Sequence, residues 1–557
     1  MPELVLGPLL RYVDDVCATV WVETDGPATV EVLDHSEHTF HVAGHHYALV
    51  RVHGLEPGSV TPYQVSLDGR PVWPPPGSPY PASVIRTTSQ DRPFRLIFGS
   101  CRVTAPHHAP YTLDKTQDKR GVGVDALQAL TARMRRTDPL SWPDAMLFVG
   151  DQVYADEVSP ETREFIRERR DTTRPPGEEI ADFEEYTRLY REAWSEPTVR
   201  WLLSTMPTAM IFDDHDVHDD WNTSAVWRRR MAETSWWRDR IAGGLMAYWL
   251  YQHLGNLQPD MIDADGLLAQ LQEEQDGGPL LREFALKADA EADGRKGARW
   301  SYRRDHGRTR LLVIDSRCGR VLEDDHRRMV DAAEWDWIVE ATQGDLDHLI
   351  VATSLPVLLP SLVHDLEGWN EAVCAGAWGR RLTGFGEKVR EAADLEHWGS
   401  FRGSFDNLMT LVAEIGSGRR GSAPATITFL SGDVHYSYLA EASFPDEVGV
   451  RSAVYQAVCS PIRNPTQKSV QALDRFSRTG AGRTVGRLLA RSAGVPPPKL
   501  SWALRRGPWF HNGLTTLTLS GRSAMLAVDQ APPGSGEDPE LVTVYAGDLV
   551  REPLPRR

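Results

Sequence analysis

Cysteine is scarce in this sequence and scattered. Cys17, Cys101, Cys318, Cys374 and Cys459 are the five in 557 residues. They form neither the close pairs of a zinc site nor the density of a disulfide framework, so a reducing compartment is expected. Long apolar runs are missing too: no stretch of roughly 18 apolar residues occurs, and no membrane span is proposed. The start, Met1 to Pro8, has no basic region and no adequate apolar stretch for a secretory signal, so a cytoplasmic protein is expected. Positive charge is the third shortage. With 61 Lys and Arg against 78 Asp and Glu, the net charge is -17. That balance argues against a grip on a nucleic-acid backbone, which needs clustered cations, and sequence-specific nucleic-acid binding is not expected either. What is present is 41% hydrophobic and 25% charged, enough for a large core and for two or more domains.

From Ala18 to Leu67, short alternating segments (Thr29 to Leu33, His38 to Val42, Tyr47 to Val52, Tyr63 to Leu67) are separated by Gly, Pro and Asp turns. Such spacing predicts a small β-sandwich of the fibronectin or immunoglobulin kind. His45 and His46 read as a solvated turn. The proline-rich stretch from Pro71 to Pro81 reads as a stiff connector, and a boundary is placed near Gln90.

Beyond it, apolar strands alternate with helical segments, the pattern of a layered α/β architecture. Four strand ends carry chemistry. Phe94 to Phe98 ends in Gly99-Ser100-Cys101-Arg102, where a thiolate could bind a metal and the arginine could clamp a phosphate. Ala145 to Val149 ends at Gly150, which lets the chain turn and sets Asp151 at the strand tip, followed by Gln152-Val153-Tyr154-Ala155-Asp156. Thr208 to Phe212 ends in Asp213-Asp214-His215-Asp216-Val217-His218-Asp219-Asp220-Trp221-Asn222, with five Asp and two His in ten residues. So many carboxylates repel one another unless cations compensate. Thr426 to Leu430 runs into Ser431-Gly432-Asp433-Val434-His435, where Asp433 and His435, two apart on an extended segment, can face one ion. One shared metal site at converging strand ends accounts for all four. Hard oxygen ligands suit Ca²⁺, Mg²⁺ or Mn²⁺, and imidazole suits Fe or Zn or serves as a general acid. Arg317, in Asp315-Ser316-Arg317, is either a structural ion-pair partner or a contributor near the site.

These motifs resemble, in order, those of the PhoD-type alkaline phosphatases and phosphodiesterases, a branch of the metallophosphoesterases. The resemblance covers roughly residues 92 to 530. It implies a two-sheet core flanked by helices over 91–557, after an N-terminal β-sandwich over 1–90. It also implies iron with one or two calcium ions, Mn²⁺, Mg²⁺ or Zn²⁺ being alternatives, and hydrolysis of phosphate monoesters and diesters. By the same resemblance Cys101 and Tyr154 are ligands of a ferric ion, and Asp151 bridges the metals. Asp214 and Asp219 hold the second cation, Asp433 and His435 complete the cluster, and His215 protonates the leaving oxygen or stabilises charge. Asp219-Asp220 stands where relatives often carry Asn-Asn.

Three segments add less. Ser224 to Leu254 reads as one long helix with a tryptophan stripe, and the acidic stretch from Gln258 to Lys296 as an insertion or mobile loop. Lys468 to Arg506 holds nine Lys or Arg and one acid, Asp474. It reads as a basic helix over Ser469 to Ser492, either a solvated face or a rim that attracts an anionic substrate or a membrane surface. The expected partner is a phosphate ester, small or polymeric. The competing reading is a catalytically idle metal-binding scaffold that acts through protein interaction, against which the complete ligand set speaks.

Overall fold

The computed structural model describes residues 1–293, 297–323, 326–465, 477–534 and 536–550. The first ninety residues are all-β. Leu4–Val13, Ala18–Thr24, His45–Val52 and Phe40–Val42 form one four-stranded sheet; His35–His38, Thr29–Val32, Val65–Leu67 and Arg70–Trp73 form a second. Val20, Val30, Val50 and Val65 pack between them. The expected strand from His38 to Val42 divides into two pieces that belong to different sheets. Leu4–Val13 shows no alternation because both its faces are covered. Leu10 and Val13 enter the sandwich core, while Leu6 and Leu9 enter the large core shared with the following half of the chain. His45 and His46 open a strand rather than a turn, and His45 bridges Glu23 at 2.8 Å and Glu184 at 2.9 Å.

The remainder is a mixed α/β body of two sheets with helices outside them. The six-stranded sheet runs Thr208–Ile211, Ala145–Val149, Phe94–Gly99, Gly513–Ser520, Ser523–Gln530, Val542–Asp548. Its first three strands are parallel and finish at one edge. The seven-stranded sheet contains the parallel set Thr309–Val313, His348–Ala352, Thr426–Ser431 and Ala453–Val458. Ala145–Val149 and Thr208–Ile211 are buried at every residue, which explains their unbroken apolar runs.

Two helical expectations are corrected. Ser224 to Leu254 is not one helix but Ala225–Ala232, Trp237–Ala247 and a π turn Tyr248–His253. Ten residues of straight helix would separate Trp227 from Trp237 by about 15 Å; the bend at Glu233 to Trp236 brings their rings to 5.3 Å instead. The acidic stretch is not a mobile loop. It folds as helices Pro259–Asp265, Leu267–Glu273 and Gly278–Asp289, which bury Ile262, Leu267, Leu271 and Leu281. Of the basic segment, Gly480–Ser492 is helical, and residues 466–476 lie outside the described ones. Among the described residues no helix is long and apolar enough to cross a membrane.

Candidate metal centre

The two sheets touch where Ser100 lies against Gly432. The Asp433 backbone N–H donates to Ser100 Oγ at 3.3 Å, and the Ile462 N–H to the Ser100 carbonyl at 2.7 Å. A side chain at position 432 would overlap Ser100 and come within 2.5 Å of the Val149 carbonyl oxygen, so this approach needs glycine. Around the contact, Cys101, Asp433 and His435 hold φ of 56°, 68° and 57°. Three non-glycine residues in the left-handed region mark strain of the kind that clusters at functional sites.

Asp214 is the hub of the cluster. It groups with Asp151 and Asp213, with Glu396 and Asp433, and with His215 and Asp219, the donor atoms of each group lying within 4.8 Å of one another. The Glu396 group already contains an internal cation. The fully buried Arg317 places Nη1 2.5 Å from Glu396 Oε2, and Nη2 3.1 Å from Asp214 Oδ1 and 3.5 Å from Asp433 Oδ1. Its Nε pairs with Asp213. Arg317 is therefore an ion-pair partner that lies inside the cluster.

The Asp151 group is less well compensated. Asp151 is 2% exposed, and neither its Oδ1 nor Asp213 Oδ2 has a hydrogen-bond partner among the described residues. Burial pushes the Asp151 carboxyl far above the usual carboxylate range; His215 pulls it back, while Asp213, Asp214 and Asp216 push it further up. Buried carboxylates crowded in this way, with Asp151 Oδ1 and Asp213 Oδ2 unpartnered, are what a bound cation neutralises, so these residues fit a metal.

His215 stands beside the hub. Its Nδ1 lies 2.9 Å from Asp156 Oδ2, its ring 4.9 Å from that of Tyr154, and its Nε2 3.9 Å from Asp219 Oδ1. Burial opposes its charge, but Asp214, Asp156 and Asp151 hold it well above the ordinary imidazole value. Burial also opposes ionisation of Asp156, which is nevertheless held at about 2, chiefly by His215. Asp219 is exposed, yet partial desolvation and Asp214 push its carboxyl up to about 6.

The other expected ligands lie close by. The Cys101 thiol is fully buried, donates to the Asp433 carbonyl at 3.7 Å, and is kept protonated by burial and by Asp151. The Tyr154 hydroxyl accepts from Asn464 Nδ2 at 3.2 Å. Burial pulls His435 down to about 4, which leaves it neutral, the form that ligates metals.

Arg102 is a correction. It does not face the cluster: it is 4% exposed, its Nε bonds Asp125 Oδ2 at 2.9 Å, and its Nη1 bonds the Ala193 carbonyl at 2.9 Å. Asp125 also caps the helix Ala126–Arg135. The guanidinium ties that helix to the strand end, with all three of its nitrogens turned to Asp125 and the Ala193 carbonyl. Sequence reasoning also assigned no role to Asp156, Asp213, Glu396 and His397. The first two stand in the quoted motifs, but Glu396 and His397 lie in an irregular loop with no strand before it to signal them.

Residues 127–282, which contain Asp151, Tyr154, Asp214, His215 and Asp219, match the PhoD-like phosphatase family model. Residues 1–85 match a domain of unknown function, DUF7800. A solved structure of PhoD aligns over 99% of this chain and 93% of its own at 11% identity, with a TM-score of 0.57. A maltogenic amylase structure from S. marinus aligns over 94% of this chain and 76% of its own at 9% identity, but its TM-score of 0.17 carries no argument. No curated protein matches the sequence. Residues 127–282 thus match a PhoD-like phosphatase within a chain that shares the fold of PhoD, which together support a phosphoric ester hydrolase.

Proposed function

We propose that this protein hydrolyses phosphate esters, monoesters or diesters, at a metal centre built on Asp151 and Asp214. The observation that carries the reading is the buried Asp151 carboxylate with an unpartnered oxygen among Asp213 and Asp214. Asp151, Tyr154, Asp214 and Asp219 would hold the cations from the family-domain side, and Cys101, Asp433 and His435 from the other strand ends. A thiol, a phenol and a neutral imidazole suit iron, and the carboxylates suit calcium, which is the pairing the family resemblance implies. When bound, the cations supply a nucleophilic water at neutral pH and neutralise charge on the phosphoryl oxygens.

The chain's own residues do the rest. His215 carries a proton on Nε2 at the mouth of the cluster and delivers it to the departing alkoxide oxygen. Asp156 accepts from Nδ1 and so fixes the ring and its charge. Arg317 neutralises Asp214, Glu396 and Asp433 and keeps that corner from collapsing under its own repulsion.

The test pairs elemental analysis of purified protein with hydrolysis of a chromogenic phosphate monoester and diester, before and after chelation. Expected are bound metal, hydrolysis that chelation abolishes and metal restores, and loss of both metal and turnover in Asp151→Asn. His215→Ala should keep its metal and lose about 10²–10⁴-fold in turnover. Metal-free protein, or hydrolysis indifferent to chelation, would refute the proposal.

A further inference from the structure

We infer that His397 is a positioning residue of the metal centre, holding the Asp433 carboxylate through Nε2 while Glu367 fixes the imidazole from behind. The inference rests on the reading of Asp433 as a metal ligand given above. His397 is 7% exposed and Glu367 fully buried. Glu367 projects from the helix Ser361–Cys374 and accepts from His397 Nδ1 at 2.7 Å and from the His397 backbone N–H at 3.2 Å. On the far side of the ring, Nε2 lies 2.9 Å from Asp433 Oδ2. Each ring nitrogen thus faces a carboxylate, and the imidazole spans Glu367 and Asp433.

The surrounding loop is built for this reach. Trp398, the first residue of the short turn Trp398–Ser400, and Phe401, just after it, are fully buried and anchor the loop. A Cβ on Gly399 would collide with Glu367 Oε2 and come within 3.0 Å of His364 Nδ1, so glycine is what lets Glu367 approach. Asp433 is consequently gripped on both oxygens, by His397 on Oδ2 and by Arg317 at 3.5 Å from Oδ1. It needs that grip, because its backbone sits at φ 68° and its loop has no helix or strand of its own to orient the side chain. A ligating carboxylate orients productively only when outer hydrogen bonds fix it, and loss of such a partner typically costs about 10–100-fold in metal affinity.

The experiment measures Mn²⁺ affinity of the full chain by competition with a chelator, for wild type, His397→Ala, His397→Asn, Glu367→Gln and Asp433→Ala. Folding of each is checked by its thermal midpoint. Expected are a loss of about 10–100-fold in His397→Ala, partial recovery in His397→Asn, whose amide still donates to Asp433, and an intermediate loss in Glu367→Gln. If Asp433→Ala binds Mn²⁺ as wild type does, the reading of Asp433 as a metal ligand fails, and the positioning role with it. If Asp433→Ala is impaired while folded His397→Ala stays within about twofold of wild type, only the positioning role fails. Should His397→Ala not fold, wild-type affinity in Glu367→Gln overturns the role. Equal impairment of His397→Ala and His397→Asn, together with loss of nitrogen coupling to bound Mn²⁺, would make His397 a ligand and also overturn it.

Discussion

Arg102 and Asp156 show how a residue's partner decides its work. Arg102 sits one position from a proposed ligand, yet Asp125 and the Ala193 carbonyl occupy its guanidinium. Arg102→Met is therefore expected to lower stability by roughly 3–5 kcal/mol, since it strands the buried Asp125, while KM for a chromogenic ester in the folded fraction stays unchanged. Denaturant titration and steady-state kinetics check this, and a raised KM at unaltered stability would restore the phosphate-clamp reading. Asp156 is the opposite case, a residue of the quoted motif whose carboxylate reaches His215 Nδ1 at 2.9 Å. Asp156→Asn should keep the metal, lower turnover and pull the alkaline limb of catalysis, where His215 loses its proton, to lower pH, because the neutral amide no longer holds the imidazolium. A pH–rate profile identical to wild type would sever the pair.

At the scale of elements, the site depends on how closely two sheets approach. Gly432 is the contact point, and Gly432→Ala is expected to cost about 1–3 kcal/mol through overpacking against Ser100. It should lower metal content as well, because Cys101 and Asp433 flank the contact. Elemental analysis alongside chemical denaturation separates the two effects, and full metal content in a destabilised variant would show that the strand tips adjust independently. The divided helix from Ala225 to Ala247 follows the same logic. Helical periodicity marks which residues are apolar, but not that Trp227, Trp237 and His218 pack better around a bend.

At the scale of the whole molecule, the sandwich and the catalytic half share one core and many polar fastenings, of which Arg11 and His45 make two. Arg11, fully buried, donates to the Tyr251 carbonyl at 2.7 Å and the Gln252 carbonyl at 2.6 Å, both in the π turn. Arg11→Met leaves these acceptors unpaired at about 1–3 kcal/mol each, so a loss of roughly 3 kcal/mol is expected in urea unfolding. His45 is the second fastening. Burial disfavours its charge, but Glu184 and Glu23 raise it to about 9, above the unfolded value of about 6.5. Its stabilisation is thus fully present below about pH 6.5 and is lost as pH rises through about 9. Between pH 7 and 10 the thermal midpoint of wild type should fall more than that of His45→Gln. Parallel pH profiles would exclude the fastening.

By itself the sequence determined the α/β body, the β-sandwich before it and the strand ends that carry Cys101, Asp151, Asp214, His215 and Asp433. These were legible because buried parallel strands are unbroken apolar runs, and chemistry placed at their tips follows them directly in the chain. Only the tertiary structure decided what each side chain meets. Arg102 turns away, Arg317 enters the cluster from the other sheet, and Glu396 and His397 arrive from a loop more than 180 residues after His215. The helices between Pro259 and Asp289 were hidden by charge, although their buried leucines keep helical spacing. The physical reason is one of range: hydrophobic periodicity is set by neighbours along the chain, whereas charge compensation in a buried site is set by whichever residues the fold brings within a few ångströms.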